Sequence, residues 1–329
     1  MRRRDFIKVI AGSATIWPLA ARAEQKGRAR RIGLLLGSAD NPEGRARVNA
    51  FRLTLDAFGW SGDSVIMDIR WTAAEADRTR TMAKELVALG PDVLLAEASP
   101  TVSALLNETK TIPIVFVNVA NPVASKFVAS LARPGGSATG FTSNEPSLGG
   151  KWLQLLKEIM PNVRRANFMY NTYSASLFLS GFVESFEAGA RALSIEPAQV
   201  TVRDASEIPT AMAKIAQSPG QGVIVMADIF STVHQDVYVA AANQHRVPSV
   251  YPFAFFAKNG GLIGYGADIV TLFRGAASYC NRILRGEKVS DLPVQAAVKF
   301  ELALNLKAAK ALNLEVPTSI LLRADQVIE

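Results

Sequence analysis

The chain has 329 residues, of which 49% are hydrophobic and 20% are charged. This length and composition predict a globular protein with substantial cores and favour two domains over one. The formal net charge is +7, but residues 1–23 alone carry +4, from five bases against one acid, and the remaining excess of about +3 is scattered. A basic stripe for binding nucleic acid is therefore not indicated.

The first 23 residues are predicted to be an export signal. Arg3-Arg4-Asp5-Phe6-Ile7-Lys8 is followed by an apolar stretch at 9–21 that is too short to span a bilayer. Ala21-Arg22-Ala23 supplies small residues for cleavage before Glu24. The arginine pair resembles a twin-arginine signal, and the alternative is an ordinary secretory signal rich in arginine. Both predict a protein exported to the periplasm.

Beyond this signal, short apolar runs alternate with longer amphipathic stretches. Continuous apolar strands between helices are typical of a parallel sheet covered on both faces. The predicted strands are 32–36, 64–71, 92–96 and 114–117, and the predicted helices are 45–58, 74–89 and 100–109.

The pattern then begins again after Pro134-Gly135-Gly136, with 139–142 predicted as a short crossing segment. Two such units predict an α/β fold of two doubly wound parallel-sheet lobes, with a ligand bound beyond the carboxyl ends of the strands. The strands of this second unit are predicted at 166–170, 197–202, 222–227 and 248–251, and its helices at 148–160, 176–193, 207–217 and 233–245.

The C-terminal part is too short for a third domain, so we expect it to complete both lobes. Strands are predicted at 260–265 and 298–304 and helices at 269–284 and 306–312. The expected boundaries are an export signal at 1–23, a first lobe at 30–142 plus about 253–286, and a second lobe at 143–252 plus about 287–329.

Residues for metal or catalytic chemistry are poorly represented. His234 and His245 are the only histidines, and neither stands at a metal-binding spacing. The first predicted strand is followed by Gly37-Ser38-Ala39-Asp40, without the glycine pattern of a dinucleotide site. We therefore expect no metal, no cofactor and no enzyme activity. A hydrolase or dehydrogenase with unrecognised motifs is the alternative from the enzyme class.

Small polar and aromatic residues follow the predicted strands. Each set comes directly after an apolar run, where side chains line the rim of a cleft. The candidate ligand-binding residues are Ser38, Asp40, Ser99, Thr101, Asn118, Asn121, Tyr170, Asn171, Asp228, Phe230 and Tyr251.

These residue types suit a small polar ligand. Hydroxyls, amides and helix N-termini can bind a carboxylate, Asp228 can pair with an amine, and aromatic faces can cover an apolar group. For Asp228, which directly follows an apolar strand, ligand contact is favoured. Helix capping alone is the alternative for Asp40, Ser99, Thr101 and Asn121.

Several motifs resemble those of a known family. They are Ile112-Pro113-Ile114-Val115-Phe116-Val117 with Asn121-Pro122, Arg133-Pro134-Gly135-Gly136 with Thr139-Gly140-Phe141, Leu292-Pro293-Val294 with Phe300-Glu301-Leu302, and the ending Leu322-Arg323-Ala324-Asp325-Gln326-Val327-Ile328. Together they resemble the ABC transporter substrate-binding family related to tryptophan-binding lipoproteins. The resemblance implies a type I periplasmic binding fold, a hinge of several crossing strands and delivery to an ABC permease.

Two positions depart from the pattern of relatives that bind aromatic amino acids. Those relatives tend to have Thr-Pro after the third strand and Asp-Pro after the fourth, where this chain has Ser99-Pro100 and Asn121-Pro122. Loss of the second carboxyl changes the charge of the cleft, so the resemblance does not by itself assign an aromatic ligand.

The sequence predicts a periplasmic solute-binding component of an ABC importer that captures a small molecule, such as an amino acid or a small organic acid. We expect it to close about a hinge near Thr142, Pro252 and Gly286. Its partners would be the ligand and an inner-membrane ABC permease, without nucleic acid and without stable membrane insertion after cleavage. The alternative is a periplasmic protein that senses a ligand for a membrane receptor.

Overall fold

The computed structural model describes residues 28–175 and 179–329, so the predicted export signal lies outside the described residues. Its strands form two separate sheets. They are β1 (Arg30–Leu36), β2 (Val65–Trp71), β3 (Val93–Glu97), β4 (Ile114–Ala120), β5 (Ala138–Asn144), β6 (Arg165–Asn171), β7 (Glu196–Val202), β8 (Gln221–Val225), β9 (Ser249–Tyr251), β10 (Ile263–Ala267), β11 (Gln295–Ala296), β12 (Phe300–Asn305) and β13 (Gln326–Ile328).

The helices connect these strands and cover the sheets. They are α1 (Pro42–Ala57), α2 (Ala76–Ala88), α3 (Ser99–Glu108), α4 (Leu148–Ile159), α5 (Leu179–Ala192), α6 (Glu207–Ala216), α7 (Ile229–Val233), α8 (Gln235–Gln244), α9 (Ala254–Lys258), α10 (Ile269–Leu284), α11 (Leu306–Ala311) and α12 (Thr318–Leu321).

The two sheets confirm the predicted α/β fold of two parallel-sheet lobes. The first lobe has the strand order β11-β5-β4-β3-β1-β2, with every pair parallel. The second has the order β13-β12-β10-β9-β8-β6-β7, in which β10 and β12 form the one antiparallel pair.

Both faces of the first sheet are buried, which explains why its strands are continuous apolar runs. Leu34 packs in a cluster with Phe51 and Leu55 of α1, whereas its neighbour Leu35 packs in the opposite cluster with Leu105 of α3. Successive side chains of a strand point to opposite faces, so each face needs its own layer of helices.

The chain passes between the lobes three times within the described residues. The first passage joins β5 to α4, the second joins β10 to α10 through Asp268, and the third joins β11 to β12. Of the expected hinge positions, Thr142 lies on β5 close to the first passage. Pro252 instead lies inside the second lobe, and Gly286 lies beyond the end of α10 in the first.

The sheets divide the C-terminal part differently from the expected boundaries. Residues 253–267 belong to the second lobe, because β10 pairs with β9 and β12. Strand β11 belongs to the first lobe, because it pairs with β5. Residues 139–142, expected to cross between lobes, lie within β5, an interior strand of the first sheet. An apolar run in the sequence predicts a strand but does not indicate which sheet that strand joins.

Two of the three passages are bonded to each other. The Asp268 backbone N–H donates to the Lys299 carbonyl oxygen at 3.0 Å, and the Lys299 ammonium donates to Asp268 Oδ2 at 2.9 Å. Asp268 also caps α10, because its Oδ1 accepts from the Thr271 backbone N–H at 3.2 Å. These bonds join the second passage to the third.

Helix α10 returns the chain to the first lobe and carries its most apolar face inward. The single cysteine, Cys280, is fully buried on this helix, and burial raises the pKa of its thiol well above the ordinary value. A buried thiol of this kind is unreactive. Across 28–175 and 179–329, no helix is long and apolar enough to cross a membrane.

The contact between β4 and β5 requires a glycine at position 140. Gly140 has φ of +154°, and a Cβ atom there would lie 2.0 Å from the Phe116 carbonyl oxygen. We expect Gly140→Ala to lower the free energy of unfolding by more than about 1 kcal/mol, measured by urea denaturation. Gly136→Ala is the control, since nothing lies within 4 Å of its Cβ position. Equal losses in the two variants would contradict this packing.

Candidate functional site

The carboxyl ends of the two sheets face each other across a cleft, and a small cavity of about 10 Å³ lies between them. Both lobes contribute to its lining, so the cavity exists only when the lobes are together. The first lobe supplies Ala98, Ser99, Pro100, Asn118 and Ala120, and the second supplies Ser174, Ala227, Asp228, Ile229 and Phe253.

Asp228 is the only ionisable side chain among the described residues of this lining. Its Oδ1 accepts from the Ser231 backbone N–H at 2.6 Å, which caps α7, and its Oδ2 accepts from the Asn171 backbone N–H at 3.2 Å. Only 5% of the residue is exposed. Two main-chain N–H donors thus fix the carboxyl group, which lies three residues beyond the end of β8 and lines the cavity.

Burial raises the pKa of the Asp228 carboxyl to about 6, because the charged form loses its hydration. The backbone N–H groups of Ser231 and Asn171 and the hydroxyls of Ser174 and Ser231 offset only part of this effect. The ionised carboxylate therefore lacks a compensating cation among the described residues around it. An ammonium group of a ligand is the kind of partner that would supply one.

The opposite wall is the beginning of α3. Ala98, which precedes the helix, has φ of 76° and ψ of 156°, a conformation that costs a non-glycine residue free energy. Ser99 is the first helical residue and is 3% exposed. Pro100 has no backbone N–H, but the N–H groups of Ser99 and Thr101 have no partner within the helix, so this end of α3 suits a carboxylate.

Asn118 extends this wall from the end of β4. Its backbone is left-handed, with φ of 55°, and its Oδ1 accepts from the Ser143 hydroxyl at 2.6 Å. The side chain is thereby held at the cavity by a neighbouring strand. An amide in this place can hydrogen-bond a polar ligand without adding charge.

A buried ion pair lies beneath the first-lobe wall. Glu97 is fully buried and accepts from Arg47 Nη1 at 2.8 Å and from the Ser38 hydroxyl at 2.5 Å. The Ser38 backbone N–H also donates to Glu97 Oε2 at 3.1 Å. Because Glu97 immediately precedes Ala98, this network fixes the start of α3.

The lobes also touch outside the cavity. A Cβ atom on Gly37 would lie 2.9 Å from Ile229 of the second lobe, so only a glycine permits this approach. The Arg47 guanidinium lies over the ring of Phe255 with 5.4 Å to the centroid. Asn259 donates to both Glu43 of the first lobe and Gln235 of the second. These contacts define a closed arrangement of the lobes.

Of the predicted ligand-binding residues, the structure brings Ser99, Asn118 and Asp228 to one cavity. Two others lie directly behind it. Asn171 donates its backbone N–H to Asp228, and Ser38 donates to Glu97. Their role at the cleft is therefore to position other residues.

The remaining candidates lie away from the cavity. The Thr101 hydroxyl donates to the carbonyl oxygens of Glu97 and Ala98 within the first turn of α3, which is not a capping bond. Asn121 accepts from the Ala124 backbone N–H, as a cap does, but in a turn. Asp40 lies on the surface in an ion pair with Arg45, whose hydrogen bond holds the pKa of that carboxyl below its usual value.

The three aromatic candidates pack within the second lobe. The Tyr170 hydroxyl donates to Gln199 at 2.9 Å, and Phe230 packs against the His234 ring at 4.4 Å. Tyr251 is fully buried against Phe256. Alternation along a strand explains the placement of Tyr170 and Tyr251, since neighbouring side chains at a strand end point to opposite faces of the sheet. Phe230 instead lies on helix α7.

Sequence reasoning missed Arg47, Glu97 and Ser174. Arg47 lies on an amphipathic helix and Glu97 ends an apolar strand, and their pairing across 50 positions has no local signal. Ser174 follows β6 by three residues, and a wider window after that strand would have included it. No group of three or more histidine, cysteine, aspartate or glutamate side chains suited to a metal occurs in the described part of the chain.

Comparison with known proteins agrees with this architecture. A family model described as "ABC transporter substrate binding protein" matches residues 43–328. A tyrosine-binding protein from Clostridioides difficile (strain R20291) is 26% identical over 254 residues, which cover 77% of this chain and 72% of that protein.

Two solved structures have the same fold. A conserved domain protein from Vibrio cholerae is 26% identical, with a TM-score of 0.84 over 91% of this chain and 100% of that one. The ABC domain from Streptococcus pneumoniae in complex with L-Trp is 24% identical, with the same TM-score of 0.84 and the same coverage of both chains. The type I periplasmic binding fold is thus confirmed.

Loss of one partner of the buried ion pair should be costly. We expect Glu97→Ala to lower the free energy of unfolding by about 3–5 kcal/mol, because it leaves the Arg47 charge buried without a partner. The double variant Arg47→Met with Glu97→Leu should lose less than the single variant. Urea denaturation measures both, and Asp40→Ala at the exposed Arg45 pair is the control that should change little. A double variant less stable than Glu97→Ala would contradict this account.

The buried Asp228 carboxyl should also give stability a specific pH dependence. Its folded-state pKa of about 6 lies above the ordinary value of 3.8, so protonation stabilises the fold and this contribution is lost as pH rises through about 6. We expect the free energy of unfolding of Asp228→Asn, relative to that of the unchanged protein, to increase as the pH rises from 4.5 to 7.5. Urea denaturation at each pH measures both values. A constant difference across that range would contradict the raised pKa.

Proposed function

Because this chain belongs to the ABC transporter substrate-binding protein family, we propose that it captures a small α-amino acid in the periplasm and delivers it to an ABC permease. The observation that carries the proposal is the pairing of two complementary walls across one cavity. Asp228 offers a buried carboxylate on one side, and the start of α3 offers N–H donors and Ser99 on the other.

This arrangement suits a zwitterion. The cavity of about 10 Å³ has room for about one water, so an amino acid would bind with the lobes farther apart than they are in this arrangement. Its ammonium would then offset the uncompensated charge of Asp228, and its carboxylate would lie at the N-terminus of α3 beside Asn118. Phe253 would cover the ligand side chain. Relatives described as tyrosine-binding and as bound to L-Trp support an amino acid as the ligand class.

Capture would proceed by closure of the lobes. The walls of the cavity come from both lobes, so a ligand that contacts both binds the closed arrangement more tightly than the open one and shifts the equilibrium toward it. The three passages would provide the hinge, with the second and third linked through Asp268 and Lys299. No bond of the ligand need be made or broken.

Export supports the same role. The predicted signal at 1–23, with its twin-arginine-like start, would send the chain to the periplasm, where substrate-binding proteins of importers meet their ligands. The permease would then recognise the closed lobes. Co-purification with a membrane permease in the presence of the ligand tests this delivery step.

Calorimetric titration with L-amino acids tests the ligand class. The protein is first unfolded and refolded to remove carried ligand. We expect micromolar or tighter binding of at least one L-amino acid, and about tenfold or greater weakening in Asp228→Asn, because a charge-assisted hydrogen bond is lost. Asp40→Asn, an exposed carboxyl in an ion pair with Arg45, is the matched control and should bind normally.

The same titration should depend on pH. Protonation of Asp228 removes the partner of the ligand ammonium, so affinity should fall as pH decreases below about 6 and should level off above it. N-acetylated amino acids should not bind. Binding that is unchanged in Asp228→Asn, or a panel without any amino acid ligand, would contradict the proposed function.

A further inference from the structure

A second cavity lies between the lobes, beside the first. It has a volume of about 330 Å³ and runs between α1 of the first lobe and α9 of the second, with the passage from β10 to α10 at its base. Phe253 lines both this groove and the small cavity that contains Asp228. No other residue lines both spaces in the described part of the chain.

Phe253 is firmly held in this place. It is 3% exposed and stacks on Phe255 with ring centroids 5.4 Å apart. Behind it, a Cβ atom on Gly266 would lie 1.9 Å from the Pro252 carbonyl oxygen and 3.3 Å from the Phe253 ring, so the glycine allows the chain before Phe253 to approach β10. The ring therefore acts as a rigid wall.

The groove beyond this wall suits an extended chain with a polar end. Its apolar lining includes Ala46, Ile269 and Val270, while Lys258 and the three carboxylates Glu43, Asp268 and Glu301 supply charges of both signs. The Arg47 charge, which also borders the groove, is already paired with Glu97. A flexible side chain of several methylene groups could lie along this surface if it could pass position 253.

Resting on the proposed function, we infer that Phe253 is the residue that sets the maximum length of the ligand. Phe253 lines the same cavity as Asp228 and Ser99, so the side chain of an amino acid bound there would meet this ring, which separates that cavity from the groove. The protein thus selects side chains that end at this ring and rejects long unbranched ones. Removal of the ring would join the two cavities and admit them.

Titration of a homologous ligand series tests this inference. L-alanine, L-2-aminobutyrate, L-norvaline, L-norleucine, L-lysine and L-arginine are compared with the best ligand of the unchanged protein. We expect the unchanged protein to lose affinity for the longest members. In Phe253→Ala, the affinity for L-norleucine and L-arginine relative to L-alanine should rise by at least about tenfold, since one buried methylene group changes discrimination by about that factor or more.

Two variants keep the test independent of folding defects. Phe253→Leu shortens the wall while retaining apolar volume and should shift the length limit by a smaller amount. Val270→Ala is the matched control, because Val270 lines the groove but not the small cavity. It should leave the length limit in place.

The outcomes separate this inference from the proposed function. An unchanged protein that binds no amino acid contradicts both. If the unchanged protein binds amino acids but Phe253→Ala and Phe253→Leu keep the same length limit, only the role of Phe253 is overturned. The same holds if these variants weaken the binding of every ligand equally.

Discussion

The three passages between the lobes are the constraint on which the rest of the structure depends. These passages link the lobes covalently, and the bonds between Asp268 and Lys299 join two of them. Under the proposed function, a rotation about the passages would open and close the cleft between the carboxyl ends of the strands, where parallel sheets place their ligands.

The charges at the cleft would affect the free energy of this proposed rotation. The two charges buried at the first-lobe wall, Arg47 and Glu97, neutralise each other, whereas Asp228 on the second lobe has hydrogen-bond donors but no cation. Closing the cleft over an ionised Asp228 removes water from an uncompensated charge, which is unfavourable. A ligand ammonium would pair with the Asp228 carboxylate. Asp228 would therefore oppose closure of the cleft without ligand and favour closure with ligand bound.

Most of the architecture follows from the local pattern of the sequence. Most strands of both sheets and helix α10 lie close to their predicted positions because continuous apolar runs and amphipathic periods depend on near neighbours, whereas β11 and β13 were not predicted. The strand β5 and the sheet membership of β10 and β11 were not predictable in this way. Their assignment depends on pairing between residues far apart in the chain, such as Gln295 with Phe141.

The site shows the same division. Ser99, Asn118 and Asp228 were predictable because each comes near the end of a buried strand or just after it. Tyr170 and Tyr251 also lie near strand ends, but they pack into the second lobe. Position along a strand end identifies the cleft, and only the pleat decides which side chains enter it. Neither strand position nor alternation predicts the role of Glu97. Its charge is buried because it pairs with Arg47, which lies 50 positions earlier in the chain.

The buried Cys280 has a practical consequence. Its thiol lies inside the first lobe and resists ionisation, so it would not compete with a cysteine placed on the surface. Single cysteines introduced on opposite rims of the cleft could then be coupled to a pair of fluorophores without altering the native sequence elsewhere. The protein therefore needs no removal of its own cysteine before it is labelled as a fluorescent reporter of its ligand.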